Sequence, residues 1–428
     1  MHSSVAVISD RSTASVPAIP QQTTHTVLIH QAFVGPEEAG GTRHYEFARR
    51  MVAEGHRFTI VASDLSYLTG RHIGAKGFIT RESKDGIELL RAYTYKALHR
   101  SFFWRVASFL SFAITSVLAA FRAGVPDVVM GTTPPIFQAV SAYFVAFCLR
   151  RPFLLEVRDL WPAFAIDMGV LKHPLLISAS RWLERFLYHR ATHLLVNSPA
   201  YRDYLIDRGI PPEKVSLVAN GADPEMFDPE KRGDQVRQQY GLDKKFVVSY
   251  AGALGMANDI DTMLRAAHRL LLTEGRIHFL LIGDGKERRN LEQKAQRMGL
   301  TNVTFTGAQP KERMAEFLAA SDACVATLRD IPMFRTTYPN KVFDYMAAGR
   351  PTILAIDGVI RDVIERAKGG LFVEPGNDQA LAAAALQLCG DPALCARMGA
   401  SARLYVSENF NRNEQAQRFC RLVVHVAQ

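Results

Sequence analysis

The chain has 428 residues and a formal net charge of +9, enough length for two domains that each bury a core. With 48% hydrophobic and 22% charged residues it reads as globular, which excludes a chain disordered throughout. About +7 of the charge precedes Gly221 and +2 follows, so the basic excess belongs to the N-terminal half and suits nucleic acid, an anionic membrane surface or a phosphorylated substrate. Residues 1–25 are rich in Ser, Thr, Pro and Gln. They lack a basic leader and a long apolar run, so the expectation is a disordered tail and a cytoplasmic location. Cys148, Cys324, Cys389, Cys395 and Cys420 show no ligand spacing and read as free thiols in a reducing compartment.

From His25 the apolar run TVLIHQAF predicts the first buried strand of a parallel sheet. Gly40 and Gly41 follow in a loop that either cradles a phosphate or simply turns the chain before the helical stripe Tyr45, Phe47, Ala48, Met51. Strand-like runs recur at Arg57 to Ala62, Ile87 to Arg91, Asp127 to Met130, Phe153 to Val157 and His193 to Val196, mostly with helical patterns between them. That alternation predicts a doubly wound α/β domain over 26–221, with its ligand crevice beyond the carboxyl ends of the strands. GTTPPIF and EVRDLWP leave two such strand ends, and the second places Arg158 and Asp159 there as a structural or a catalytic pair.

Ser101 to Arg122 is long enough to span a bilayer, but Arg105, Ser108, Ser111, Thr115 and Arg122 recur as a polar stripe that a spanning helix has little use for. Phe102, Val106, Phe109, Ala113 and Val117 mark the apolar face. The reading is a helix packed in the core or, as the favoured alternative, one docked on anionic lipid through Phe102, Phe103 and Trp104 with Arg100, Arg105 and Arg122 beside them.

After a linker over 222–244, a second domain is expected over 245–410. KFVVSYAG is a strand leading to Gly252 and Gly255; IHFLLIGDGK delivers Asp284, Gly285 and Lys286 to a turn; VTFTG ends at Thr306 and Gly307, with Gln309 beyond. Asp259 and Asp261 are better explained by an N-cap at Asn258 or Asp259 with Asp261 as a first-turn acid than as a metal pair, so no divalent metal is expected. In PNKVFDYMAAGRP, Pro339 suits a helix start and Gly349 with Pro351 stops the run. Lys341 in the first turn adds charge to the anion-binding end of that helix, and Asp344, one turn on, can grip a ribose diol. The alternative is an ordinary surface helix. The final helical segment, Asn413 to Val424 within 411–428, is expected to pack back on the first domain.

The ordered set GALG, LIGDG, VTFTG, PNKVFDYMAAGRP and GGLFVEPGND resembles the nucleotide-sugar half of family 4 glycosyltransferases, and RDLWP resembles a stretch of the bacterial members that build surface polysaccharides. The resemblance implies a GT-B architecture of two facing Rossmann-like domains and retaining transfer from a UDP-sugar without a cofactor. It also implies an acceptor that is a lipid-linked glycan precursor, with closest likeness to N-acetyl-fucosamine-type transferases. By that likeness Asp344 holds the ribose and Asp159 faces the acceptor. Asp344 stands where Glu is commoner, and Thr336 where the family has a second Glu. The family's usual Arg and Lys after the first strand of this domain are absent, which leaves the diphosphate to Lys341 with Lys286 or Arg335. The competing functions are a nucleotide-sugar epimerase of the same architecture, a NAD-dependent oxidoreductase, which the incomplete dinucleotide fingerprint argues against, and a membrane-surface or nucleic-acid binder. No clustered basic tract with interleaved aromatics supports nucleic acid.

Overall fold

The computed structural model describes residues 23–428 apart from 36, 38–39, 67–69, 71, 75–76 and 98–101, and omits the side chain of Phe102. The expected tail therefore lies outside the described residues as far as position 22, as does Arg100. The first sheet contains β1 (His25–Ile29), β2 (Arg57–Ser63), β3 (Ile79–Lys84), β4 (Ile87–Ala92), β5 (Val128–Thr133), β6 (Phe153–Val157), β7 (His193–Val196) and β8 (Val215–Leu217). Their spatial order is β3-β4-β2-β1-β5-β6-β7-β8, and every pairing is parallel except β3 with β4. β3 has the sequence ITRESK, too polar and too exposed to announce itself as a core strand, and it adds an antiparallel edge.

The second sheet contains β9 (Phe246–Ala251), β10 (Ile277–Ile282), β11 (Val303–Gly307), β12 (Ala323–Thr327), β13 (Thr352–Ala355) and β14 (Gly370–Phe372). It is wholly parallel in the order β11-β10-β9-β12-β13-β14, the doubly wound order that reverses direction beside its first strand. Both expected α/β units are therefore present, in the GT-B arrangement.

Alternation along β1 sorts side chains onto two layers. Val27 and Ile29 join the core under helices Phe102–Arg122, Ile136–Leu149 and Pro174–Arg190, whereas Leu28 joins the core under Arg43–Ala53. The C-terminal helix, Arg412–Ala427, completes that second layer, with Phe419 stacked on Phe47 at 4.3 Å between ring centroids. The stretch 222–244 is not an open linker. Phe227, Val236 and Leu242 are buried in the core of the second domain, and Asp234–Tyr240 is a helix. The outgoing and returning strands between the domains run side by side, with Ala222 N–H donating to Phe410 O at 3.1 Å and Arg412 N–H donating to Ala222 O at 2.9 Å.

Helix Phe102–Arg122 turns its faces the opposite way from a simple polar-out pattern. Ser108, Thr115 and Ser116 are buried, while Leu110, Ile114, Leu118 and Phe121 are exposed. Two of the buried hydroxyls find a carbonyl, Thr115 donating to Tyr93 O at 2.7 Å and Ser116 to Ala113 O, whereas the Ser108 hydroxyl meets no partner among the described residues; half-buried Ser111 donates to Ser108 O and accepts from Tyr95 N–H, both at 2.8 Å. Small residues on that side also let helix Ile136–Leu149 approach, with Ser141 donating to Ala113 O at 2.8 Å.

Candidate active site

The helix Asn340–Ala347 follows Pro339 directly, and its rotation is set by what it buries. Val342, Phe343, Tyr345 and Met346 sit in the core of the second domain, each large apolar group contributing roughly 1.5–3 kcal/mol. Two of the positions left over, Lys341 and Asp344, line the cleft between the domains. Tyr345 fixes the helix to the end of β9, its hydroxyl accepting from Ala251 N–H at 2.7 Å. Lys341 Nζ donates to the Tyr250 hydroxyl at 2.7 Å and to Asn258 Oδ1 at 3.3 Å, and lies 4.0 Å from the Tyr250 ring centroid. Dehydration lowers the Lys341 ammonium to about 7. Dehydration likewise raises the Asp344 carboxyl, against the pull of Arg412, 3.6 Å away, and of Lys311.

Opposite this helix, the loops after β9 and β10 lie back to back. A Cβ on Gly283 would fall 1.9 Å from Gly252 O, and one on Gly252 would fall 2.9 Å from Lys341 Nζ. Both glycines have positive φ, +148° and +151°, so neither position accepts a side chain without shifting the cleft wall. From the first domain comes the loop at Gly40 and Gly41; an ideal Cβ on Gly41 would be 3.6 Å from Asn340 Nδ2 at the start of the helix. Lys311 of the second domain reaches across to Thr42 and stands 3.8 Å from Glu46. The cleft measures about 1330 Å³.

Of the residues singled out in the sequence, Gly40, Gly41, Gly252, Asp284, Gly285, Lys286, Lys341 and Asp344 all line this cleft. Gly255, Thr306, Arg335 and Asp159 do not line it. Arg335 points to the far side of its loop, 3.3 Å from Asp330 and 3.8 Å from Asp357, so its charge is spent on carboxylates away from the helix start. Thr306 donates to backbone carbonyls of Leu281 and Gly307, the bonds that close the strand end. Asp159 sits past β6 on the exposed face of its loop, where dehydration by surrounding protein, opposed by Arg158, raises its carboxyl to about 6. Asp259 is the N-cap residue of helix Ile260–Thr273, although its side chain accepts from the Thr262 hydroxyl and not from the backbone; Asp261 pairs with Lys294 at 2.5 Å. Among the described residues no group of three potential metal ligands occurs.

Sequence reasoning passed over a buried polar network at the carboxyl ends of β1 and β6. Glu156 is fully buried and accepts from Arg43 Nε at 2.9 Å and from the Thr132 hydroxyl at 3.0 Å, and lies 2.5 Å from His44 Nε2. Dehydration would raise its carboxyl, but His44, Arg43 and Arg158 together hold it well below the usual carboxylate range. Arg43 continues to the carbonyls of Val218 and Ala219 at 2.6 and 2.9 Å, just before the chain crosses between domains. Arg158 donates to Thr132 at 2.9 Å and to His30 Nε2 at 3.2 Å. The one available signal was a Glu inside an otherwise apolar strand, which demands a buried cation.

Residues 39–221 match the glycosyl transferase 4-like domain family, and residues 245–391 match the glycosyl transferases group 1 family. A GDP-mannose-dependent alpha-mannosyltransferase of Mycobacterium tuberculosis is 27% identical over 260 residues, which are 61% of this chain and 63% of that protein, so the match spans less than two thirds of that relative. WcaI of Escherichia coli, named as a glycosyl transferase for colanic acid biosynthesis, is 22% identical over 408 residues, 92% of this chain and 98% of WcaI. In fold the chain is similar to solved glycosyltransferases of GT-B architecture. It is also similar to HepE of Anabaena in complex with UDP-glucose, with a TM-score of 0.69 and 18% identity, covering 93% of this chain and 99% of HepE.

Proposed function

The chain belongs to the glycosyltransferases that join a 4-like first domain to a group 1 second domain, and from that premise we propose that it moves a sugar from a UDP-sugar to a lipid-linked glycan precursor of cell-surface polysaccharide, with retention of anomeric configuration. The observation that carries the reading is the pairing of Lys341 and Asp344 on the cleft side of one helix start, opposite two glycine loops. In this reading the diphosphate lies against the helix start and Lys341, the backbone at Gly252 and Gly283 approaches it without side chains, and Asp344 accepts from the ribose hydroxyls. Turnover then comes from charge stabilisation of the leaving diphosphate by preorganised donors, while domain closure orients the acceptor. Asp159, whose raised carboxyl suits a proton acceptor near neutral pH, receives the acceptor proton after domain movement. The UDP-glucose complex of HepE and the colanic acid role named for WcaI support the donor and the pathway. The likeness of the motifs to N-acetyl-fucosamine-type transferases favours an N-acetylated hexosamine or deoxyhexosamine as the sugar.

Thermal-shift measurement against UDP, GDP, ADP and NAD tests the donor site, since a ligand at a hundred times its dissociation constant adds about 2.7 kcal/mol to apparent stability. UDP is expected to raise the melting temperature, NAD to leave it unchanged, Asp344→Ala to lose most of the shift and Asp344→Glu to keep it. An equal UDP shift in wild type and Asp344→Ala removes the ribose role; a shift with GDP alone changes the donor base. Transfer is also expected to persist in EDTA, because Asp259 and Asp261 are engaged with Thr262 and Lys294 and line no part of the cleft. Loss of activity in EDTA with rescue by magnesium or manganese overturns this.

The reading includes peripheral attachment to the inner face of the cell membrane, through more than one helix. Helices Phe102–Arg122, Ile136–Leu149 and Pro174–Arg190 form one layer over the first sheet, and that layer exposes Ile114 (68%), Phe147 (69%) and Trp182 (65%). Arg122, Arg150, Arg151, Arg181, Arg185 and Arg190 belong to the same layer or its ends, while its only carboxylate, Glu184, is buried. Apolar surface ringed by cations without exposed acids is the pattern that binds anionic headgroups. Flotation with vesicles containing anionic lipid is expected to be salt-sensitive and to fall in an Ile114→Ser/Trp182→Ser double variant. Flotation unchanged by both salt and the variant overturns docking by this layer.

A further inference from the structure

The cleft does not end at the donor helix. It continues along the first domain to a mouth lined by His72, Ile73, Arg105 and Phe109, together with Ser66. Two separate pieces of chain build this mouth. The loop after β2 is held by the Leu65–His72 bridge and by Ile73 N–H donating to Asp64 O at 2.8 Å. The other piece is the first two turns of helix Phe102–Arg122, fastened to the exit of β4 where Tyr95 N–H donates to Ser111 Oγ at 2.8 Å. The mouth combines two chemistries. Arg105 brings a guanidinium that makes no ion pair with any described residue, and His72, half exposed, lies 3.2 Å from Asp64. Phe109 and Ile73 bring apolar surface beside them. One helix thus presents Arg105 and Phe109 to the cleft and, further along, the outward apolar stripe Leu110, Ile114, Leu118 and Phe121. Among the described lining residues Arg43 pairs with Glu156, Lys311 stands beside Glu46 and Arg412 beside Asp344, and Lys286 belongs with Lys341 to the second domain, so Arg105 is the guanidinium of the first-domain wall left over for a second anion.

We propose that this mouth is a binding subsite for a phosphate or diphosphate ester carrying a hydrocarbon tail, with Arg105 taking the phosphate, Phe109 and Ile73 the first carbons of the tail, and the outward stripe of the helix the remainder. The proposal rests on the transferase reading above and adds to it the chemical class of the acceptor's anchor and the place where that anchor is held. Arg105 suits the role because a guanidinium offers two parallel donors to a phosphate and is more weakly hydrated than an ammonium. An amphiphile bound in this way enters the cleft with its glycan directed toward the donor helix and its tail directed toward the apolar layer.

The experiment is calorimetric titration of the full chain, held in saturating UDP, with farnesyl phosphate, farnesol and inorganic phosphate below any micelle concentration. Farnesyl phosphate is expected to bind at least about ten-fold more tightly than either of the other two, because a charge-assisted hydrogen bond and apolar contact act together. Arg105→Ala is expected to weaken farnesyl phosphate about ten-fold, Arg105→Lys less, and neither to change UDP affinity. Equal binding of farnesol shows apolar adsorption only, and equal binding of inorganic phosphate shows an anion site without a lipid; either overturns the subsite. Unchanged farnesyl phosphate affinity in Arg105→Ala, or displacement of UDP by the lipid, overturns it as well. Failure of UDP itself to bind, with the fold intact by circular dichroism, condemns the donor reading and not this one.

Discussion

Lys341→Ala is expected to reduce transfer by about 30- to 1000-fold, corresponding to roughly 2–4 kcal/mol of transition-state stabilisation from one preorganised charged group, while the protein stays folded. The fold should survive because Val342, Phe343, Tyr345 and Met346 hold the helix and Lys341 contributes nothing to that buried face. A second signature separates a diphosphate ligand from a merely structural lysine. The unliganded ammonium titrates near 7, so at pH 8 most of it is neutral. A diphosphate beside it favours the charged form, and binding must therefore draw a proton from solution between about pH 7 and the higher value reached in the complex. Titration of UDP at pH 8 in buffers of different ionisation enthalpy should show close to one proton taken up by wild type and almost none by Lys341→Ala. Near-normal turnover, or the same proton uptake in the variant, removes Lys341 from the donor site.

Glu156→Ala should destabilise the first domain by about 3–5 kcal/mol, the range expected when one partner of a buried charge cluster is removed and the others remain. Arg43 and His44 would both lose their carboxylate while still shut away from water, and Arg158, 3.9 Å from it, would lose a neighbour. Urea unfolding of the purified variant measures this, and a change below about 1 kcal/mol would mean that the network closes around the gap. Acid should act in the same direction. His30 and His44 are lowered mainly by burial, so their neutral forms support the fold above the unfolded histidine value of 6.5 and that support is lost as pH falls. Glu156 adds stability that is fully present above about 4.5 and lost as pH drops toward its depressed value. Stability is thus expected to decline below about pH 6.5 and more steeply below about 4.5. The histidine part of the decline should become smaller in His30→Gln, with the share that belongs to His44 remaining.

Much of the cleft wall on the second domain was legible from local pattern. A helix start following Pro339, five apolar side chains with Lys341 and Asp344 left over, and glycines at the ends of β9 and β10 are all features of neighbouring residues, and local rules of periodicity and backbone freedom read them. Most of the parallel strands were visible for the same reason, whereas the short parallel strand β8 and the polar edge strand β3 were not. Arg335 illustrates the boundary. Its charge and its nearness to the helix were plain in the sequence, yet Asp357, from beyond β13, helps hold it away from the cleft.

What the sequence determined by itself was the alternation of strands and helices, the doubly wound class and the helix start that carries Lys341 and Asp344, since each follows from spacings of a few residues. Tertiary structure alone decided which side of each element meets what. Glu156 joins Arg43 across 113 positions of chain, and no periodicity links them. Thr115 and Ser111 of helix Phe102–Arg122 turn inward to backbone partners at Tyr93 and Tyr95, beyond the end of a separate strand, and the aliphatic stripe is left facing out. A polar group is buried when a partner is waiting for it, and the partner's position is a property of the folded chain.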